Sequence, residues 1–232
     1  MNNLIQIAGI IDSDEAAMLM KFGVDYLGFP LRLPVNKDDL TEDEADKVIK
    51  EIVPPHKPVL ITYLDAAVEI IRFCDKLNVH IVQLHGRIPT GELKMIKMNR
   101  PDIEIIKSLV VYKDNYLELE ITVQNLSEWV DFFITDTFDP ATGASGATGK
   151  THDWKISRKL VEISPKPVIL AGGLNPSNVR QAILQIKPAG VDVHTGVESS
   201  SGRKDYNLVK NFVLHANQAF AEINSAPPII HN

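Results

Sequence analysis

The chain contains one cysteine, Cys74, among its 232 residues. An intramolecular disulfide is therefore excluded, and no thiolate cluster is available to hold a structural zinc. Aromatic residues make up only 6 %, and positive charge is the minority sign, with 24 Lys and Arg against 30 Asp and Glu. The resulting net charge of −6 argues against a broad nucleic-acid surface, which needs clustered Lys and Arg. Long apolar runs are missing too, since nothing approaches the roughly 18 residues that a membrane-spanning helix requires. Residues 1–3 lead straight into an apolar run, with no basic n-region and no small-residue cleavage site before it. The seven histidines show no i, i+4 pair, so no metal site is expected. These deficits together predict a cytoplasmic protein with no nucleic-acid or membrane partner.

What remains is 44 % apolar and 23 % charged, the balance of a globular domain. Short apolar runs recur eight times, at 4–10, 26–29, 59–63, 81–84, 103–106, 132–135, 168–171 and 191–193. Between them lie amphipathic or charged segments of helical character, such as 14–22, 41–52, 65–77 and 177–186. Continuous Val/Ile/Leu runs are the mark of strands buried on both faces, hence of a parallel sheet covered by helices. Eight strand–helix units of roughly 25–30 residues predict an α/β fold of the TIM barrel type, a closed (β/α)8 parallel sheet. Punctuation agrees: Ser13 and Gly23 can bracket the first helix, Thr41 with Glu44 can form a capping box, and Asn175-Pro176 can open the seventh helix. Pro188-Ala189-Gly190 can stop that helix. A last helix over 206–221 would close a single domain, 1–223, leaving 224–232 as a frayed tail.

In a parallel barrel the reactive groups gather where strands lead into helices. Glycines follow the seventh and eighth strands in Ala171-Gly172-Gly173 and His194-Thr195-Gly196. Glycine there permits positive φ and lets an anion approach backbone N–H groups without an intervening Cβ. Side by side, the turns at Gly172, Gly173, Thr195 and Gly196 would form a phosphate cradle; taken singly, each glycine could simply make a tight turn. Asp136 ends an apolar strand at the mouth, where a carboxyl can serve as general acid or base, or merely cap its own loop. Gln83, His85 and His194 also follow strands, and a lone histidine there is more often a structural hydrogen bonder than a catalyst. The segment 143–151 looks like a nucleotide loop, but a Walker loop needs glycine where Ala144 stands. It reads as a flap whose Lys150 can meet a ligand phosphate or carboxylate. Cys74, mid-helix among apolar neighbours, reads as a buried inert thiol.

With these residues assembled, the chain resembles the phosphoribosylanthranilate isomerase family of tryptophan biosynthesis. The resemblance rests on Val82-Gln83-Leu84-His85-Gly86, Asp136-Thr137, Gly149 through Trp154, Val168 through Asn175, and Gly190 through Ser199 with Gly202 and Asp205. It implies a β/α barrel that isomerises a phosphorylated ribosylamine to a 1-deoxyribulose phosphate by an Amadori rearrangement, without metal or organic cofactor. By resemblance, Asp136 stands at the acid that opens the furanose ring. The family base is a cysteine after the first strand, where this chain has Ala8, so Asp12, His85 and His194 become the candidates by loop position. The family arginine that meets the substrate carboxylate is not matched in Val35-Asn36-Lys37-Asp38-Asp39, and Arg32 or Lys37 would have to substitute. Two alternatives follow from these departures: an isomerase, epimerase or lyase acting on another sugar phosphate, and a non-catalytic phosphometabolite-binding protein. A monomer or homodimer is expected.

Overall fold

In the computed structural model, the described residues are 3–34, 39–112, 114–137 and 153–225. Eight strands alternate with eight helices: β1 (Leu4–Ala8), α1 (Ser13–Lys21), β2 (Tyr26–Pro30), α2 (Glu42–Ile49), β3 (Lys57–Thr62), α3 (Ala67–Leu77), β4 (Ile81–Leu84) and α4 (Thr90–Asn99). They continue as β5 (Glu104–Val111), α5 (Tyr116–Leu126), β6 (Phe132–Thr137), α6 (Trp154–Ile163), β7 (Val168–Leu170), α7 (Val179–Ile186), β8 (Gly190–Val193) and α8 (Tyr206–Ser225), with a 3-10 turn at Thr195–Val197. Every strand pairs in parallel with its sequence neighbour, and β8 returns to β1 through Leu4↔Gly190 and Gln6↔Asp192. The sheet is closed, as the strand count predicts.

The two faces of the sheet carry separate cores. Ile5 and Ile7, Val82 and Leu84, and Val191 and Val193 turn outward into the large cluster shared with the helices. Leu4, Ala8, Val59, Ile61, Ile81, Ile106, Ile134, Ile169 and Ala171 point inward and fill the barrel. Alternation along a strand thus assigns the inward face to even positions in β1, β5 and β6 and to odd positions in β3, β4 and β7.

Several local expectations change. Asp12, not Ser13, caps α1: its carboxylate accepts from the Glu15 backbone N–H at 2.9 Å while Ser13 is already helical. An Asp before Ser offers the stronger acceptor at the positive helix end. The Thr41–Glu44 capping box forms as expected. Asn175 does not open α7; that helix begins at Val179, with the Asn175 side chain instead accepting from Ser177 in a tight turn. β5 runs on to Val111, past the point where Lys107 and Ser108 interrupt its apolar pattern. α8 extends to Ser225, and Asn224 donates to Asn3 at 3.2 Å, so the first two residues of the expected tail belong to the domain. The rest of that tail lies outside the described residues.

Candidate active site

The mouth of the barrel is lined by a chain of polar side chains that rise from inside the sheet. Gln6 on β1 donates its amide to Gln83 Oε1 on β4 at 2.7 Å. Gln83 Nε2 then meets His85 Nε2 at 2.8 Å, and His85 Nδ1 meets Asp136 Oδ2 at 3.1 Å. The donor order follows from the first link. Because the Gln83 oxygen is occupied as an acceptor, its nitrogen donates to His85 Nε2, which leaves the proton on Nδ1 to be given to Asp136. The other Asp136 oxygen accepts from the Thr137 N–H at 2.8 Å. Asp136 is therefore held in one orientation by two donors, at the C-terminal end of β6.

Three further residues complete this wall, none of them singled out from sequence. Lys107 is buried on β5, and its ammonium donates to the carbonyls of Leu84, Gly86 and Ser108 at 2.9–3.2 Å, tying the end of β4 to β5. Burial pushes its pKa down to about 8, partly opposed by the Asp136 charge. The Tyr63 ring lies against His85 with centroids 5.3 Å apart. Its hydroxyl is pushed up to about 12 by burial and by Asp136. Asp192 faces inward on β8 beside Gln6. For Asp192 the available signal was its polar character on an inward strand position, since such a residue has to be satisfied within the barrel.

Enclosure pushes Asp192 up to about 7, with the Gln6 hydrogen bond opposing. Gln6 Oε1 and Asp192 Oδ1 are both buried acceptors without a partner among the described residues. A proton on Asp192 gives the pair its missing donor. The folded state then holds a proton that the unfolded chain releases near pH 4, so this group's contribution to stability is greatest below that value and declines as pH rises toward 7. Asp192→Asn supplies a permanent donor, and urea denaturation of this variant at pH 5 and pH 8 should show a flatter pH dependence than the parent. An unchanged slope would exclude the protonated pair.

Between the ends of β6 and β1, the turns after β7 and β8 come together. Gly172 and Gly173 have φ of +101° and +65°, a region costly for residues with a Cβ. Gly196 sits so close to the first turn that a Cβ there would lie 1.8 Å from the Leu174 carbonyl oxygen. The backbone N–H groups of Gly172, Gly173, Thr195 and Gly196 make no hydrogen bond among the described residues. Asn178 Nδ2 and Thr135 Oγ1 brace the first turn, donating to the carbonyls of Gly173 at 2.9 Å and Ala171 at 3.1 Å. Convergent, unengaged amides on braced turns are the elements of an oxyanion cradle.

The remaining expected site residues divide. Gln83, His85 and Asp136 are brought together, as are Gly172, Gly173, Thr195 and Gly196. Ala8 ends β1 inside the barrel and carries no ionisable group. The Arg32 guanidinium stacks on Phe73 at 3.9 Å and pairs with Glu42 at 2.8 Å, on the α2–α3 side. A cation that finds both an aromatic face and a carboxylate at hand is held there. Asp12 is likewise occupied, by its helix cap and by Arg203. Cys74 is buried in α3, and burial pushes its thiol up to about 12. Lys37 and Lys150 lie outside the described residues. No group of three or more metal-ligating side chains occurs among the described residues, and no described helix is long and apolar enough to cross a membrane.

Comparison with known proteins agrees with this architecture. Residues 6–215 match the family model for N-(5'-phosphoribosyl)anthranilate isomerase. The chain is 37 % identical to N-(5'-phosphoribosyl)anthranilate isomerase 2 of Methanosarcina mazei, over 95 % of this chain and 97 % of that protein. It is 31 % identical to the isomerase of Methanocella arvoryzae, over 90 % and 95 % of the two chains. Among solved structures, the isomerase of Thermotoga maritima superposes with a TM-score of 0.79 at 30 % identity, covering 93 % of this chain and 99 % of that one. Another isomerase, in complex with reduced 1-(o-carboxyphenylamino)-1-deoxyribulose 5-phosphate, gives a TM-score of 0.77 at 27 % identity, with coverages of 93 % and 99 %. A closed parallel barrel with a buried polar chain and paired glycine turns at its mouth, matched along nearly all of its length, thus belongs to the phosphoribosylanthranilate isomerase family.

Proposed function

We propose that this protein is a cytoplasmic enzyme that isomerises N-(5'-phosphoribosyl)anthranilate to the corresponding 1-deoxyribulose phosphate. The observation that carries the reading is the pairing of one oriented carboxyl, Asp136, with the unengaged amides of the Gly172 and Gly196 turns in a single barrel mouth. The turns supply N–H donors for the phosphate dianion, which fixes the sugar across the mouth. Asp136 gives its proton to the furanose ring oxygen as the C1–O bond breaks, leaving an open-chain iminium at C1. Loss of the C2 proton sends the C2–H electron pair into a C1=C2 bond and neutralises the nitrogen. The resulting enaminol takes a proton at C1 and loses one from the C2 hydroxyl to give the ketone, and the latter proton resets Asp136. Acid–base groups are sufficient for every step, without a metal or cofactor.

The relatives' shared activity favours this reading over a different sugar phosphate or a binding-only role. Incubating the purified protein with phosphoribosylanthranilate and following its characteristic anthranilate fluorescence tests it directly. Turnover with a specificity constant above about 10⁴ M⁻¹s⁻¹ is the expected result, within the ordinary enzyme range. No turnover, alongside tight binding of the substrate, would instead favour the binding-only role.

A further inference from the structure

The isomerisation needs a group that takes the C2 proton, and the β1 wall of the mouth, ending in Ala8 and Gly9, offers none. Of the described ionisable groups weighed as the base, Asp12 caps α1 and pairs with Arg203. His85 has both ring nitrogens engaged, with Gln83 and Asp136. Asp192 lies one inward position deeper than the end of β8, beside Gln6.

His194 remains. Continuing the β1–β8 register from Ile7↔Val193 by one residue sets it beside Ala8, on the inward face. Its ring covers Gly9, where an added Cβ would fall 2.0 Å from Nε2. The side chain keeps 23 % of its surface accessible. Nε2 stands 3.3 Å from Glu198 Oε1 and 3.9 Å from Asp39 Oδ2. Lys204 completes the surroundings, donating to the His194 carbonyl at 3.2 Å and to Glu198 Oε1 at 2.6 Å. His194 also directly precedes the Thr195–Gly196 turn, so a sugar held by its phosphate at that turn passes the imidazole.

We propose that the His194 imidazole is the base that removes the C2 proton, an assignment that rests on the isomerase reading above. The Glu198 carboxylate, 3.3 Å from Nε2, stabilises the imidazolium as the proton arrives at Nδ1. The same imidazolium returns that proton to C1 when the enaminol becomes the ketone. Burial and the Lys204 charge push the imidazole down to about 3, so the resting group is neutral and the proton it takes up is readily given back.

The test is steady-state kinetics on phosphoribosylanthranilate with His194→Gln and His194→Gly, with folding followed by circular dichroism. The expected result is a kcat at least about 100-fold lower in both variants, the size of a lost general base, with KM within about threefold of the parent. Added imidazole should recover part of kcat in His194→Gly and none in His194→Gln. If His194→Gly does not fold, the C2-deuterium isotope effect in His194→Gln decides, and it should rise as C2–H cleavage becomes rate-limiting. The assignment is overturned if His194→Gln keeps more than about a third of kcat, or if its loss falls on KM alone. It is equally overturned if a folded Gly variant ignores imidazole, or if the isotope effect stays level. An inactive parent protein would sink the isomerase reading itself, and this assignment with it; an active parent with an active His194→Gln would sink this assignment only.

Discussion

Asp136→Asn is expected to lower kcat by about 10²–10⁴ while leaving the fold and KM close to those of the parent. The amide keeps the acceptor for Thr137 N–H and places a nitrogen where Oδ2 meets His85. Two donors would then face each other, but the chain of groups behind them can reverse. His85 can move its proton to Nε2, Gln83 can turn its oxygen toward His85, and Gln6 can present Oε1 to the Gln83 nitrogen. Gln6 Oε1, unpartnered in the present arrangement, becomes the acceptor at the end of the reversed chain. The stability cost should therefore stay within about 1 kcal/mol, the worth of one ordinary hydrogen bond. Activity loss in a variant of near-parental denaturation midpoint would isolate the proton from the scaffold. A variant with kcat within about threefold of the parent would remove Asp136 from the chemistry.

Gly196→Ala should damage both binding and stability. Its new Cβ would stand 1.8 Å from the Leu174 carbonyl oxygen and 3.1 Å from Val193 Cγ2. The first of these is backbone, so the β7 and β8 turns have to separate. Forcing a methyl group into such a contact costs about 1–3 kcal/mol. Separating the turns also spreads their amide donors, and a tenfold or larger rise in KM, about 1.4 kcal/mol of lost binding, is expected. The inhibition constant of inorganic phosphate should rise in parallel, because the loss is confined to the oxyanion end. Gly91→Ala, in the first turn of α4 with nothing within 4 Å of its added Cβ, is the control and should leave both quantities unchanged. If the KM of Gly196→Ala matched that of the control, the turns would not be the phosphate site.

The parts of this molecule most legible in the sequence were those written by burial. Runs of β-branched residues betray strands covered on both faces, and eight of them separated by helical segments specify the barrel. The Thr41–Glu44 capping box was equally legible, because its partners are three residues apart and need nothing distant. Sequence and structure part where several local solutions compete. Ser13 and Asp12 are adjacent capping residues, and only the start of the helical hydrogen bonds chooses between them. The apolar run 103–106 stops short of the end of β5 because Lys107 has a charged end, although that ammonium is satisfied by carbonyls from β4 and its own strand. Arg32 illustrates the same limit in the site. Its contacts with Phe73 and Glu42, 41 and 10 residues further along, are set by the fold and not by its place in the loop.

By itself the sequence determined the closed parallel barrel, the family, and the residue types at the strand ends, since each of these is set by composition, periodicity or a contiguous motif. Closure of the sheet decided the rest. It alone brings Gln6 against Gln83 across 77 positions and His85 against Asp136 across 51. It also sets His194 beside Ala8 and leaves the amides of two distant turns unengaged together. Hydrogen bonds and charges act over a few ångströms regardless of separation along the chain, so which side chains share a proton became fixed only when the eighth strand met the first.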